Sequence, residues 1–194
     1  MDNEAPLTFN QVVRGISEFI EVAIHTILYV RQVYPVDLFV RRKKYDTVVF
    51  QSRHPALNEY ISGAVKAIED ELLLGALDKV VVVIKDKDEV ALERFIFALH
   101  SLVNVESYNR DTSVEEAMTP RSLGQYFRSF LVKLSMIEAQ LGQIKSTGQT
   151  LFSAGGTTLT VAYQKTYPLR SSLNSKMTGH LLLPPTTYAA SRHG

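Results

Sequence analysis

The chain has no cysteine and no tryptophan. Without thiols it can form no disulfide, no thiolate metal site and no cysteine nucleophile. Acidic residues are missing from one end. All 20 Asp and Glu lie at or before Glu138, where they outnumber 16 Lys and Arg, giving a net charge of −4. Beyond Glu138 the formal charges are Lys145, Lys165, Arg170, Lys176 and Arg192, a net +5. Long apolar runs are scarce too. The stretch near 16–30 is broken by Glu18, Glu21 and His25, whereas a membrane span needs about 20 apolar residues in a row. The opening "MDNEAPLTFN" is acidic and polar, where a secretory signal needs a basic and then an apolar region. These absences predict a soluble intracellular protein with no membrane partner. The overall charge of +1 argues against a surface built throughout to coat nucleic acid.

A chain of 194 residues with 45% hydrophobic content is long enough for one packed core and too short for two full domains. The charge break near residue 140 marks the one internal boundary, after which Ser, Thr and Gly become frequent and favour irregular structure.

Residues 8 to 33 carry Val12, Val13, Ile16, Phe19, Ile20, Ala23, Ile27 and Val30 at spacings of three and four, the pattern of an amphipathic helix. Thr8 and Gln11 have capping-box spacing, and Pro35 ends the segment. "VDLFV" and "DTVVF" read as short strands flanking Arg41-Arg42-Lys43-Lys44. "HPALNEYISGAVKAIEDELLLG" predicts a second helix with Pro55 in its first turn and Leu57, Ile61, Val65, Ile68 and Leu72 on one face. "KVVVVIKDKDEVALERFIFAL" predicts a hairpin with a central strand and a turn over Lys85–Glu89. A third helix, "SLGQYFRSFLVKLSMIEAQLGQI", follows Pro120 with a stripe of Tyr126, Phe127, Phe130, Leu131, Leu134, Ile137 and Leu141. "TTLTVAYQKTY" alternates and predicts one more strand, while nothing periodic is visible from Pro168 onward. The order gives an α+β domain, three helices on one face of a mainly antiparallel sheet.

Signatures of catalysis are missing. There is no phosphate-binding loop and no GxGxxG, and "SAGGTTLT" lacks both the lysine and the following helix. His25, His54, His100, His180 and His193 never pair at metal-ligand spacing with a carboxylate. His25 reads as a half-buried helix residue with a hydrogen-bond partner, and His54 as part of a helix start. Asp86, Asp88 and Glu89 lack the spacing of a calcium loop and read as a solvated hairpin tip. No metal, cofactor or small-molecule substrate is implied. The basic patch Arg41, Arg42, Lys43, Lys44 has three readings: a solvated loop between strands, a nuclear-import or phosphate-binding run, or a protein-contact rim. Only Phe39 and Tyr45 flank it as base-stacking aromatics.

The strings "FIEVAIHTILYVRQVYPVDLFVRRKKY" (19–45), "HPALNEYI" (54–61), "DKVVVVIKDKDEVALERFIF" (78–97) and "FRSFLVKLS" (127–135), in that order, resemble the HORMA-domain family. Within it they resemble most the non-catalytic subunits of translesion DNA polymerase zeta. The resemblance places a HORMA core at 8–144 and an atypical, partly irregular belt or tail at 145–194. It implies a nuclear, non-catalytic adaptor for DNA-damage tolerance. Such an adaptor adds a short proline-containing peptide of the polymerase catalytic subunit to its sheet as a strand, wraps a C-terminal belt over it, and offers a second surface to a scaffold translesion polymerase. Tyr34 and Tyr60 would line the peptide groove. Arg41, Arg128 and Ala139 would form the surface of a HORMA–HORMA dimer, with Gln32 standing where the family has a glutamate. The quartet would then belong to a protein-contact rim. Alternative readings are a spindle-checkpoint or meiotic adaptor and, from another class, direct nucleic-acid binding through residues 41–44. The tail departs from the family, with no Trp, no acid after Glu138 and an unfamiliar "MTGHLLLPPTTYAAS". Weaker, faster-dissociating peptide binding than in a fully belted relative is the expectation.

Overall fold

The computed structural model describes residues 5–75, 77–99, 118–144, 157–165 and 178–181. Helix α1 (Phe9–Val30) starts at a reciprocal capping box. Thr8 Oγ1 accepts from the Gln11 N–H at 3.3 Å, and Gln11 Oε1 accepts from the Thr8 N–H at 2.8 Å, so two amides with no partner inside the helix are satisfied at once. Ile20, Ile24, Ile27 and Leu28 are essentially inaccessible, because α1 is covered from several sides: by α2 (Pro55–Leu73), by α3 (Pro120–Ser135) and by the second strand. Gly15 permits the close approach to α3, since a Cβ there would lie 3.1 Å from Leu123 Cδ2. The helix stops at Val30, three residues before the predicted end. Arg31 caps it and Gln32 adopts a left-handed φ of 51°, turning the chain before Pro35.

After a short 3-10 turn (Val36–Leu38), β1 (Phe39–Lys44) pairs antiparallel with β2 (Thr47–Ser52) in a separate two-stranded ribbon. This corrects two expectations. "VDLFV" is mostly turn, and the basic quartet is strand β1 itself instead of a loop. Pro35 accepts from the Leu38 N–H and closes the turn, while Arg41 to Lys44 face Phe50 to Thr47 across the ribbon. Tyr45 and Asp46, both at positive φ (49° and 53°), make the two-residue reversal whose hand matches strand twist. That conformation normally favours Asn or Gly, so packing must hold a tyrosine in it. The Tyr45 ring meets Phe127 edge-on at 5.2 Å between centroids, and Phe127 stacks on Phe19 at 4.5 Å.

The main sheet has the order β4-β3-β5-β6, with β3 (Leu77–Asp86), β4 (Ala91–Ala98), β5 (Thr157–Lys165) and β6 (Thr178–Leu181), every pair antiparallel. β3 is central, as its apolar run predicts, and Val80, Val82 and Ile84 have no exposure. At the hairpin tip Asp86 Oδ1 accepts from the Asp88 and Val90 N–H groups, both at 2.9 Å, so this carboxylate shapes the turn. β6 lies where no periodicity was visible; paired to β5 by main-chain bonds, it needs no side-chain pattern to be a strand. The third helix is broken at Met136 into α3 and α4 (Ile137–Leu141). Phe127 and Leu131 are buried, but Tyr126, Phe130 and Leu141 of the predicted stripe are exposed, because α3 lies over the core along one narrow line.

One buried ion pair joins the helical layer to the sheet. Arg31 at the end of α1 grips Glu93 of β4 through both Nε (2.8 Å to Oε2) and a terminal nitrogen bonded to Oε1, with the Arg31 side chain 1% exposed. Removing Glu93, itself 16% exposed, leaves the deeply buried Arg31 guanidinium without its partner, at a cost of about 3–5 kcal/mol. Glu93→Ala is therefore expected to lower unfolding free energy in urea by about that amount. The double replacement Arg31→Met with Glu93→Leu should recover most of it.

Candidate functional site: the edge of strand β5

Strand addition needs a sheet edge with backbone groups to offer. Among the described residues β4 ends the sheet on one side. On the other, β6 pairs with only part of β5, from Gln164↔Thr178 to Val161↔Leu181 among the described residues. Where that register ends, Tyr60 of α2 reaches the strand. Its hydroxyl donates to the Leu159 carbonyl at 3.3 Å and accepts from the Val161 N–H at 3.2 Å. The side chain is buried among the apolar residues of the core. Burial pushes the phenol pKa up, opposed by the bond from Val161. Tyr60 thus stands at a strand edge, with its hydroxyl committed to the backbone. Tyr34 lies half-buried beyond the end of α1, against the rim of the core.

His54 places α2, since its Nδ1 accepts from the Leu57 N–H at 3.2 Å and Pro55 fills the first helical position. This is the helix-start role read from the sequence. His25 is likewise a histidine with a partner, more deeply buried than expected at 3% exposure. Its Nδ1 accepts from the Ser52 N–H at 3.3 Å, tying α1 to the end of β2.

Arg41, Arg128 and Ala139 are all exposed. Arg41 lies on β1 and Arg128 on α3, which meets the other strand of the ribbon, β2. The positive charge of Arg128 on α3 reaches Asp46 at the ribbon tip, where the carboxyl pKa is lowered first by the hydrogen bond from Lys43 and by its charge, and further by Arg128. A shallow groove runs between Arg41, Arg42, Lys43, Asp46, Thr47 and Val48. Lys44 turns away from it to bridge Glu18 of α1 at 2.9 Å. Glu21 nearby is held above the usual carboxylate range by burial and then by Glu18, against the pull of Lys44. Tyr45 is pushed up to about 12 by burial, with Glu18 adding to the effect. Arg41 and Arg42 have no acidic partner among the described residues, and those residues contain no group of three or more His, Asp or Glu that could hold a metal ion. None of their helices is long and apolar enough to cross a membrane.

Sequence reasoning missed the Arg31–Glu93 pair and the commitment of the Tyr60 hydroxyl. Both link residues far apart in the chain, and no local spacing signals either.

A layer of helices over an antiparallel sheet, with a tyrosine of α2 bonded to the backbone of β5, defines an α+β module. The HORMA domain model matches residues 13–177, and the chain belongs to the HORMA domain family. It is 41% identical over 138 residues to the mitotic spindle assembly checkpoint protein MAD2B of Gallus gallus and, equally, of Homo sapiens, covering 70% of this chain and 61% of each relative. It is 35% identical over 136 residues to the DNA polymerase zeta processivity subunit of Schizosaccharomyces pombe, covering 69% of this chain and 63% of that protein. The chain therefore spans less than two thirds of the length of these relatives. In three dimensions it superposes on a chain of the mitotic checkpoint complex with a TM-score of 0.63 at 20% identity, over 84% of this chain and 78% of the other. It also superposes on C. elegans HTP-2 bound to the HIM-3 closure motif with a TM-score of 0.61 at 12% identity, over 88% and 76%. Both likenesses are of fold.

Burial lowers the His25 pKa from 6.5 to about 4, so between those values the unfolded chain binds the extra proton and the folded chain does not. Stability is then complete above about pH 6.5 and is lost as pH falls toward 4, by about 3 kcal/mol in total. His25→Asn, whose Oδ1 can still accept from Ser52, should lack this component. Urea unfolding of both proteins from pH 7.5 to 4 checks it: parallel stability curves would show that His25 does not titrate in this range.

Proposed function

We propose that this protein is a non-catalytic adaptor that clamps a short extended peptide of a translesion polymerase catalytic subunit by strand addition and links it to a scaffold translesion polymerase in DNA-damage tolerance. The observation that carries this reading is the β5 edge: a strand of nine residues of which, among the described residues, four pair with β6, beside Tyr60. In β-augmentation the main chain supplies affinity and flanking side chains supply selectivity. Two facts support it. A relative is named a polymerase zeta processivity subunit, and a protein of the same fold was solved with a closure motif bound. In this reading β6 yields its place to the peptide, residues 145–194 serve as the belt, Tyr34 and Tyr60 contact the peptide, and Arg41, Arg128 and Ala139 form the surface for a second HORMA domain. The protein works in the nucleus.

A second reading, an adaptor of the spindle checkpoint, is favoured by the name of the MAD2B relatives. It differs in the partner peptide and not in the clamp.

The test is a fluorescence titration with a proline-containing peptide from the catalytic subunit of a polymerase zeta. Sub-micromolar binding is expected, weakened about tenfold or more in Tyr60→Ala. Dissociation should be faster than from a relative with a complete belt. A folded protein that ignores this peptide but takes a checkpoint-protein peptide would move the assignment to the second reading. Binding of DNA in its place, falling steeply with salt, would assign the work to Arg41–Lys44.

A further inference from the structure

The ribbon of β1 and β2 has two outer edges, and they meet different surroundings. Tyr45 and Asp46 make a two-residue turn. Lys44 and Thr47 therefore exchange main-chain bonds, as do Arg42 with Val49 and Val40 with Gln51, in the alternation of an antiparallel pair. The Leu38 carbonyl, which accepts from the Arg53 N–H at 2.7 Å, continues the same phase. The residues between them point their main-chain groups outward. On β2 that side meets α1, where the Ser52 N–H donates to His25. On β1 it meets solvent. Arg41 to Lys44 are all exposed, and the N–H and C=O groups of Arg41 and Lys43 make no bond among the described residues.

An open edge of this kind is a template for another strand, and its cations decide which. Lys44 is tied to Glu18 and, at a far more exposed site, Lys43 to Asp46, which leaves Arg41 and Arg42 without an acidic partner among the described residues. A second copy of β1 laid on this edge would set cations against cations, a destabilising cross-strand arrangement. Nucleic acid could answer the charge but not the alternating donors and acceptors of a strand edge, and Asp46 at the ribbon tip repels phosphate. An extended acidic segment answers both.

We infer that the outer edge of β1 is a second strand-addition site, separate from β5, that takes an extended segment with consecutive Asp or Glu residues from a partner protein. Its main chain pairs with the outward groups of Arg41 and Lys43. Its successive carboxylates alternate between the two faces of the ribbon, one meeting Arg41 and Lys43, the next meeting Arg42. Because the site is exposed, binding weakens as salt rises.

The experiment titrates a fluorescent peptide, three consecutive glutamates flanked by valine and threonine, into the full chain at low salt and follows amide exchange residue by residue. Saturable binding is expected, weakened about tenfold or more when Arg41→Glu and Arg42→Glu are combined. Both positions are exposed, so urea unfolding should not change. Tyr60→Ala should bind this peptide as the wild type does. In the complex the Arg41 and Lys43 N–H groups should exchange about tenfold or more slowly, while that of Arg42, already paired to β2, keeps its rate. Absence of saturable binding overturns the inference. So does binding that leaves those two amides unchanged, which is charge attraction without a strand, and so does loss of binding in Tyr60→Ala, which puts the peptide on β5. Single-stranded DNA that binds more tightly at the same salt, and not to the double variant, reassigns the edge to nucleic acid. Protection of Arg41 and Lys43 that grows with protein concentration in the absence of peptide reassigns it to a second copy. Either result also overturns the inference.

Discussion

Phe19 is the point through which four elements hold one another. Its ring stacks on Phe127 of α3 at 4.5 Å, meets Phe97 of β4 at 6.1 Å and lies 5.9 Å from Phe130. Through Phe127 it reaches Tyr45 in the ribbon turn. Aromatic pairs of this kind contribute about 0.5–1.5 kcal/mol each beyond the area they bury. They add to the placement of the ribbon, which α1 also holds through His25 on Ser52 and Tyr29 on Phe39 and Phe50, its two strands pairing with no strand of the main sheet. Tyr45, in its left-handed conformation, packs its ring on Phe127. The same contact sets the ribbon against α3 through its turn and β2, which brings Asp46 within reach of Arg128.

Much of this was legible locally. The three-and-four spacing of Val12 to Val30 announced α1, Pro55 marked the first turn of α2, and the run Val80 to Ile84 announced the central strand, since each is a pattern set within a few turns of chain. What failed had long-range causes. The quartet 41–44 looked like loop because four charges in a row suit solvent, and solvent is what they face; a ribbon exposed along most of one strand needs no apolar alternation. The stripe on α3 was read at full width, but of its residues only Phe127 and Leu131 are buried. Strand β6 was invisible because main-chain pairing leaves no mark on the side chains.

The candidate site was half legible. Resemblance of "HPALNEYI" to a known family singled out Tyr60, a residue of α2 whose hydroxyl lies against the backbone of β5. Resemblance could not say that its hydroxyl bonds to Leu159 and Val161, 99 and 101 residues away in sequence. The two histidines that invited a chemical reading act through their Nδ1 atoms as acceptors for backbone N–H groups. They position α1 against β2 and begin α2.

These ties also order events in time. The ribbon turn is complete once residue 52 is made, yet its tyrosine finds Phe127 only after a further stretch of chain has been synthesised. Tyr60 likewise waits for β5, and Arg31 waits for Glu93, 62 residues on. A nascent chain emerging at about 5–20 residues per second would thus expose the apolar flank of α1 for several seconds before its covers arrive. Loop closures of this length slow folding, so the newborn protein presents its stickiest helix first and hides it last. The interval between the making of α1 and of its later partners is the one in which the growing chain exposes most apolar surface.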